Sequence, residues 1–218
     1  GQAEGLREQL GADPAVWTDA MLAALKSGVK GGKWFSLKDN LYRRRTLERA
    51  WQLVLARKGS GGVDRVSLKQ YAAQLDQRLA KLESRLKAGT YEPKPVRRVE
   101  IPKPDGGIRK LGIPAILDRV CQQALVQRME PIFEPNFADC SFGYRPGRPP
   151  HMAMREVWKA LAAGYEWVVD ADLRQFFDTI DQERLIDLVA EEISDGRVLR
   201  LIRDILGSGV LQGGCWQP

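Results

Sequence analysis

The stretch "YEWVVDADLRQFFDTID" (165–181) decides the fold class, because an apolar strand pattern there carries acidic residues. Alternate side chains of a β-strand point to the same face, so Asp170 and Asp172 share one face. A strand interior seldom holds an unpaired carboxylate, since removing a charge from water is costly. We therefore predict a strand over 165–173 that carries acidic side chains to a functional site.

A D-x-D pair at a strand end is one way to hold Mg²⁺, which prefers oxygen ligands. Asp172 stands at the C-terminal end of the predicted strand, where open sheets place their chemistry. Two such ions about 3.5–4 Å apart would support in-line phosphoryl transfer. The alternative is that Asp170 pairs with a nearby arginine and Asp172 begins a turn, and for an isolated pair this alternative is the commoner one.

The composition excludes several classes of protein. With 218 residues and 44% hydrophobic side chains, the chain can build a core and is not a disordered tail. Its net charge of +6 favours a polyanionic partner, with nucleic acid first. No apolar run approaches the ~20 residues of a membrane span, so no membrane partner is expected.

The cysteine and histidine content narrows the chemistry further. Cys121, Cys140 and Cys215 are far apart and odd in number, which indicates neither a structural zinc site nor a disulfide framework. A reducing cytoplasm fits this usage best. His151 is the single histidine, and this weakens a hydrolase mechanism built on a histidine base.

A basic β-hairpin is predicted upstream of the acidic strand. "PVRRVEIPK" (95–103) and "IRKLGIP" (108–114) read as strands around the turn "PDGG" (104–107). Between residues 93 and 119 only Glu100, Asp105 and Asp118 oppose seven cations: Lys94, Arg97, Arg98, Lys103, Arg109, Lys110 and Arg119. The paired N–H donors of an arginine guanidinium suit phosphate oxygens. The acidic strand and the basic hairpin together therefore predict one site, in which carboxylates bind metal ions and cations bind a polyphosphate or a nucleic-acid backbone.

Amphipathic helices account for most of the remaining chain. Helices are predicted from Thr46 as N-cap to Gly59, from Ser67 to Gly89, and over 116–133, followed by three more after residue 150. The glycine-rich stretch 59–67 lacks the spacing of a phosphate loop and is read as a connector. Helices outnumber strands, which predicts an α+β fold or a split α/β layout, with a mostly helical first third.

The run from "RRVEIPKPDGGIRK" to "SFGYRPGR" (97–148), followed by "GYEWVVDADLRQFFDTID", resembles the reverse transcriptase domain of bacterial group II intron-encoded proteins. "LYRRRTLERAWQLVLARKGSGGVDRVSLKQY" (41–71) resembles the N-terminal extension and first fingers motif of that family. The resemblance covers about residues 36–211 and implies a right-hand polymerase. Its parts would be an N-terminal segment (1–35), a helical extension with fingers (36–90), fingers with the hairpin (91–164) and a partial palm (165–218), with the thumb absent.

The resemblance implies an RNA-directed DNA polymerase, a nucleotidyltransferase of group II intron retroelements. Such an enzyme would bind an RNA template, a DNA primer and dNTPs, and would use two Mg²⁺ ions, with Mn²⁺ as an alternative ion. Intron RNA is a further implied partner, the bacterial cytoplasm is the implied location, and a homodimer is left open. The alternatives are an RNA-binding maturase module that aids intron splicing and a host-defence, for example CRISPR-associated, reverse transcriptase.

Several residues match catalytic and nucleotide-binding positions of the family. Asp172 matches the first catalytic aspartate of the palm, a ligand of both metal ions, with help from the Leu173 carbonyl. Phe177 matches the aromatic steric gate beneath the sugar of the incoming nucleotide, and Phe176 lies beside it. Asp170 matches a position that is commonly acidic without being a metal ligand, so we expect it to be structural.

Further matches lie in the hairpin and in the loop after it. Lys103 and Arg109 match fingers residues that grip the triphosphate. Template or RNA contacts are expected from a set of strand and loop residues: Arg97, Arg98, Tyr144, Arg145, Pro146, Gly147 and Arg148. Only one of Arg97 and Arg98 can share the face of Lys103, and the sequence leaves open which one does.

The sequence also departs from the family pattern. It lacks the Tyr-x-Asp-Asp motif that completes the metal site, and Lys110 stands where the family usually has proline. Gln212-Gly213-Gly214 lacks the leading proline of the family's Pro-Gln-Gly-Gly motif and is read as a chance match. We expect a fingers-plus-half-palm fragment that is inactive alone, because one aspartate cannot assemble a two-metal site.

Overall fold

The computed structural model describes residues 2–29, 32–104, 106–173 and 175–217. The described α-helices are, in chain order, α1 Gln2–Leu10, α2 Asp19–Ser27, α3 Lys38–Leu41, α4 Arg44–Ala56, α5 Leu68–Ala72, α6 Leu75–Ala88, α7 Ile116–Phe133, α8 Pro150–Ala162, α9 Phe176–Thr179, α10 Gln182–Glu192 and α11 Gly196–Leu206. A short 3₁₀-helix at Glu134–Asn136 follows α7. None of the described helices is both long and apolar enough to cross a bilayer.

One small sheet in the order β2-β1-β3-β4 joins two distant parts of the chain. The strands are β1 Val96–Pro102, β2 Ile108–Ile113, β3 Val210–Gln212 and β4 Cys215–Gln217. β1 pairs antiparallel with β2 and parallel with β3, and β3 pairs antiparallel with β4. The predicted α+β class is confirmed in this coarse form, a mainly helical molecule with a mixed four-stranded sheet.

Helix α7 runs through the centre of the core and fixes the N-terminal part of the chain. Trp17 is fully buried, and its Nε1 donates to the carbonyl of Gln127 at 2.8 Å. The Arg128 guanidinium lies 4.8 Å from the Trp17 ring, and its Nη1 donates to the Val16 carbonyl at 2.9 Å. Burial lowers the pKa of Arg128 to about 10. The weakly patterned segment before residue 35 is therefore attached to the core.

One predicted helix start and one predicted helix length differ from the structure. Thr46 is not an N-cap, because α4 begins at Arg44 and the buried Thr46 hydroxyl donates to the Asn40 carbonyl at 2.8 Å. Ser67 does cap a helix, through a capping box with Gln70, but this helix, α5, ends at Ala72 before α6 begins. The predicted end at Gly89 is confirmed, since this residue has φ +70° just after α6.

The predicted strand over 165–173 is wrong for this structure. The segment has no regular structure and is exposed, with Trp167 at 95% and Val169 at 93% of full exposure. A strand forms only by pairing, and no strand of the described residues pairs with this one. The helix before it, α8, likewise has no buried residue, and its apolar side chains such as Trp158 are exposed.

Candidate nucleic-acid interface

The predicted hairpin is confirmed, and its register brings Lys103 and Arg109 to one face. Ile101 pairs with Arg109, and the amide of Lys103 donates to the carbonyl of Gly107 at 2.7 Å. Lys103 and Arg109 are thus diagonal neighbours, a relation that puts side chains within ~7–8 Å of each other. Both are exposed, and no described side chain forms a hydrogen bond or ion pair with either. Asp105, in the turn, lies outside the described residues.

The register also answers which of the two root arginines shares that face. Arg97 lies on the side of Ile101 and Lys103, and Arg98 lies on the other. Arg97 is nevertheless engaged within the chain, since its guanidinium donates to the carbonyl of Gly61 at 3.2 and 2.9 Å. Contact of Arg97 with RNA stays a prediction.

The opposite face of the hairpin has a mixed charge. Glu100 pairs across the strands with Lys110, and its Oε1 accepts from Nε2 of Gln212 at 3.1 Å. Arg98 lies on this same face and pairs across the strands with Gly112. The two faces of the hairpin thus differ: one carries Lys103 and Arg109 near the tip, and the other carries Glu100 opposite Lys110.

A buried carboxylate anchors the segment that leads into β1. Asp118, on the first turn of α7, is 2% exposed and accepts hydrogen bonds from the Tyr91 hydroxyl and from the Lys94 amide, the latter at 3.2 Å. Burial raises the pKa of Asp118, and the hydrogen bond from Tyr91 works against that rise. Burial also raises the pKa of the Tyr91 hydroxyl.

Arg145, in the loop after the 3₁₀-helix, serves the loop itself. Its side chain is 5% exposed and pairs with Glu134 at 2.7 Å, while Nη1 donates to the carbonyls of Ala138 and Ser141 at 2.7 and 2.8 Å. The guanidinium also lies 5.3 Å from the Phe137 ring. These partners engage the guanidinium within the chain, and the template contact of Arg145 stays a prediction.

The rest of this loop is held against the N-terminal segment. Arg148 donates to the Asp139 carbonyl at 2.6 Å and lies 5.7 Å from the Phe142 ring. A side chain at Gly11 would come within 2.8 Å of Pro146, so the two segments are in close contact there. Gly147 has φ +66°, a conformation that favours glycine. Beside them lies an open cavity of about 920 Å³.

Tyr144 is the loop residue most available to a partner. Its side chain is 96% exposed, and its backbone has φ +57°. The ring borders an apolar groove of about 430 Å³ between α7, α10 and α11. The aromatic face suits base stacking, which stays a prediction for this residue.

The acidic segment stands apart from these contacts. Asp170, Asp172 and Leu173 are exposed, and no described side chain forms a hydrogen bond or ion pair with Asp172. The Phe176 and Phe177 rings meet edge to face, 5.3 Å apart. These two begin the short α9, whose backbone includes Asp178, and the Asp178 side chain lies outside the described residues.

A metal centre is not complete among the described residues. They contain no group of three histidine, cysteine, aspartate or glutamate side chains placed to hold an ion. Asp170 and Asp172 supply carboxylates from one exposed segment, whereas two ions in a polymerase-type site need ligands from more than one element. The described residues therefore do not by themselves fit two Mg²⁺ ions.

The Gln212-Gly213-Gly214 sequence has a structural role that the sequence reading missed. Gly213 has φ +57° and Gly214 has φ +85°, and together they form the two-residue turn between β3 and β4. Positive φ at both central residues is what such a hairpin turn requires. The signal was present, because Gly-Gly stands between short apolar runs.

One family profile covers most of the features described above. The profile of the family described as "Reverse transcriptase (RNA-dependent DNA polymerase)" matches residues 101–214, just over half of the chain. The chain belongs to the reverse transcriptase family, in its group II intron type. The matched range includes most of the basic hairpin, the loop with Arg145 and the acidic segment with Asp172.

Curated relatives agree with this family. Protein YkfC of Escherichia coli is 38% identical over 177 residues, which cover 78% of this chain and 46% of the relative. Group II intron-encoded protein LtrA of Lactococcus lactis is 38% identical over 143 residues, 65% of this chain and 23% of the relative. Nuclear intron maturase 1 of Arabidopsis thaliana is 34% identical over 93 residues, 43% of this chain and 13% of the relative. This reverse transcriptase-family chain thus spans less than half the length of these relatives.

Sequence reasoning missed two buried polar residues of α7, Arg128 and Asp118, which hold neighbouring segments against this helix. Arg128 continues the i+4 row of Ile116, Val120 and Ala124, and it is 1% exposed. A charged residue on an otherwise apolar row is a signal for a buried hydrogen-bonded group. Asp118 stands between Leu117 and Arg119, so this test does not single it out as the anchor of the hairpin root.

Proposed function

We propose that this chain supplies the nucleotide- and template-binding part of an RNA-directed DNA polymerase of the group II intron type. In this proposal it forms the fingers and the first part of the palm, and it binds an RNA template, a DNA primer and a dNTP. Family membership supports the reaction class. The hairpin face supports the assignment of the nucleotide contacts.

The observation that carries the proposal is the contrast between Lys103 with Arg109 and the other cations nearby. Arg97, Arg119 and Arg145 are used by carbonyls and carboxylates of the chain itself. Lys103 and Arg109 share one exposed face and form no hydrogen bond or ion pair with a described side chain. Two cations at diagonal positions, about 7–8 Å apart, suit a polyphosphate, whose oxygens accept charge-assisted hydrogen bonds.

The proposed roles of the acidic segment follow from the family. Asp172 would contribute one carboxylate and Leu173 one carbonyl to bound Mg²⁺, and the Phe177 ring, with Phe176 beside it, would pack beneath the sugar of the nucleotide. Bound Mg²⁺ would polarise phosphoryl oxygens and stabilise charge on the transferred group. Because the described residues do not complete this centre, the proposal extends to binding and not to a catalytic step. Inactivity of the chain alone stays a prediction.

The nucleotide contacts can be tested on the 218-residue chain with a photoreactive dNTP and a primer annealed to an RNA template. Each charge-assisted hydrogen bond contributes about 1.5–3 kcal/mol, so Lys103→Gln and Arg109→Gln should each lower cross-linking by about 10- to 100-fold. Lys110→Gln is the matched control, because it removes a cation from the opposite face of the same strand. Its cross-linking should stay within about twofold of the parent chain.

Two outcomes would contradict the assignment. Cross-linking that is unchanged in Lys103→Gln and Arg109→Gln would remove both residues from the nucleotide site. An equal loss in Lys110→Gln would show that only net charge matters. Retained, salt-dependent binding of structured RNA without any dNTP cross-linking would instead indicate the RNA-binding role that the name of the Arabidopsis relative suggests.

A further inference from the structure

The loop at residues 58–62 touches the roots of both hairpin strands, the end of α4 and the start of α7. We propose that this loop is a joint that fixes the orientation of the hairpin, with Arg97, Arg119 and Gly62 as positioning residues for Lys103 and Arg109. The functional half of this inference rests on the proposed nucleotide contacts. The mechanical half stands on contacts alone and is tested separately.

The first contact comes from β1. Arg97 donates from Nε and Nη2 to the Gly61 carbonyl at 3.2 and 2.9 Å, and from Nη2 to the Ser60 hydroxyl at 3.1 Å. Arg97 is the second residue of β1 and lies on the face that carries Lys103. Its planar fork holds the strand root to two successive loop residues.

The second contact comes from α7. Arg119 donates from Nη1 to the Lys58 carbonyl at 3.2 Å and from Nη2 to the Ser60 carbonyl at 2.8 Å. Two arginines from different elements therefore grip the same short loop through three of its carbonyls. The loop is held from both sides because charge-assisted hydrogen bonds of this kind have a defined direction.

The third contact is steric and comes from the glycines. A Cβ at Gly62 would lie 2.4 Å from the amide nitrogen of Ala115, and a Cβ at Gly61 would lie 2.4 Å from the carbonyl oxygen of Val66. Ala115 comes two residues after β2 and precedes α7. The loop can approach the root of β2 this closely only because residue 62 has no side chain.

These contacts bear on function because a small rotation at the root of the hairpin displaces its tip by a larger distance. The hairpin extends six residues from Arg97 to Lys103, about 20 Å at the rise of a strand. A tilt of about 10° at the root would move the tip by about 3–4 Å, whereas binding groups need to be held within about 0.5 Å. Neither Lys103 nor Arg109 forms a hydrogen bond or ion pair with a described side chain, so the root must set where these two side chains point.

The orientation of the hairpin can be measured by pulsed electron–electron double resonance on the 218-residue chain. Spin labels at Lys110→Cys on the hairpin and Lys81→Cys on α6 report the distance between hairpin and core, with the exposed Cys140 and Cys215 replaced by serine and the buried Cys121 retained. The parent chain should give one narrow distance distribution. Gly62→Ala and Arg97→Lys should each broaden or shift it by several ångströms.

The controls separate the joint from general instability. Gly196→Ala adds the same methyl group where nothing lies within 4 Å and should leave the distribution unchanged. If Gly62→Ala lowers the thermal midpoint so far that the variant is unfolded, the test rests on Arg97→Lys and Arg119→Lys. Both substitutions keep the positive charge and remove only the planar guanidinium. Parent-like distributions in the folded joint variants would overturn the inference.

Photo-crosslinking of the dNTP then tests the functional half. Gly62→Ala changes no charge, yet it should lower cross-linking at least fivefold if the joint positions Lys103 and Arg109. Arg97→Lys should behave like Arg97→Gln, whereas a direct phosphate contact would be largely rescued by lysine. A shifted distance with unchanged cross-linking would support the loop as the joint that orients the hairpin, but it would contradict the role of the hairpin in nucleotide binding.

Discussion

At the scale of single residues, arginines that look alike in the sequence have different roles in the structure. Arg145 is 5% exposed in its side chain and pairs with Glu134, which is 6% exposed, whereas Arg148 pairs with an Asp139 side chain that is fully in water. Ion pairs of the first kind are costly to break on one side, and pairs of the second kind contribute little.

We expect Arg145→Ala to lower the free energy of unfolding by about 3–5 kcal/mol, because it leaves the Glu134 carboxylate buried without its cation. Urea denaturation followed by circular dichroism measures this change. Arg148→Ala is the matched control and should leave the urea midpoint nearly unchanged, since its carboxylate partner is solvated. Equal, small effects of the two substitutions would contradict a buried role for Arg145.

The Tyr91–Asp118 hydrogen bond predicts a pH-dependent mutational effect. Burial raises the pKa of Asp118 and the Tyr91 hydroxyl lowers it, so Tyr91→Phe should raise that pKa further. A raised folded-state pKa means that the folded state binds more protons than the unfolded one, so stability falls as pH rises through the folded pKa. Tyr91→Phe should therefore cost more at neutral pH, about 1–3 kcal/mol, than at a pH below the Asp118 pKa.

Urea titrations of the parent chain and Tyr91→Phe at neutral and acidic pH measure this difference. Tyr71→Phe is the control, because the buried Tyr71 hydroxyl has no hydrogen-bond partner among the described residues. Its effect on the free energy of unfolding should be small and the same at both pH values. A cost for Tyr91→Phe that does not change with pH would mean that Asp118 stays protonated throughout.

At the scale of elements, local signals were sufficient where an element is stabilised by its neighbours in sequence. The β1–β2 hairpin, the end of α6 at Gly89 and the long α7 could all be predicted, because a turn, a C-cap and an apolar stripe are each contained in one short window. The shared face of Lys103 and Arg109 follows from the same local register.

The elements that could not be predicted depend on distant partners. The segment 165–173 has the residues of a strand, but pairing decides whether a strand forms, and no described strand pairs with it. β3 exists because it lies beside β1, more than a hundred residues earlier in the chain. The joint at 58–62 was read as a plain connector, and only the positions of Arg97, Arg119 and Ala115 give it a role.

At the scale of the whole molecule, burial is unevenly distributed along the chain. The buried core includes residues from Leu10 near the N-terminus to Leu201 in α11, with α4 and α7 at its centre. By contrast, α8 has no buried residue, and the exposed apolar side chains of the following segment include Trp167, Val168 and Val169. The two regions should therefore differ in how often their backbone opens.

We expect hydrogen–deuterium exchange to divide the chain accordingly. Amides of α4 and α7 should exchange only through unfolding of the core, because their hydrogen bonds are covered by buried apolar side chains. Amides of 150–179 should exchange within about tenfold of an unstructured chain, since a 13-residue helix with no buried residue is only marginally stable in water. Mass spectrometry of peptic peptides resolves both regions in one experiment, and the β1–β2 hairpin provides an internal reference for paired strands. Protection of 165–173 as strong as that of α7 would show that this segment pairs in solution, and a rise of that protection with protein concentration would identify a second copy of the chain as its partner.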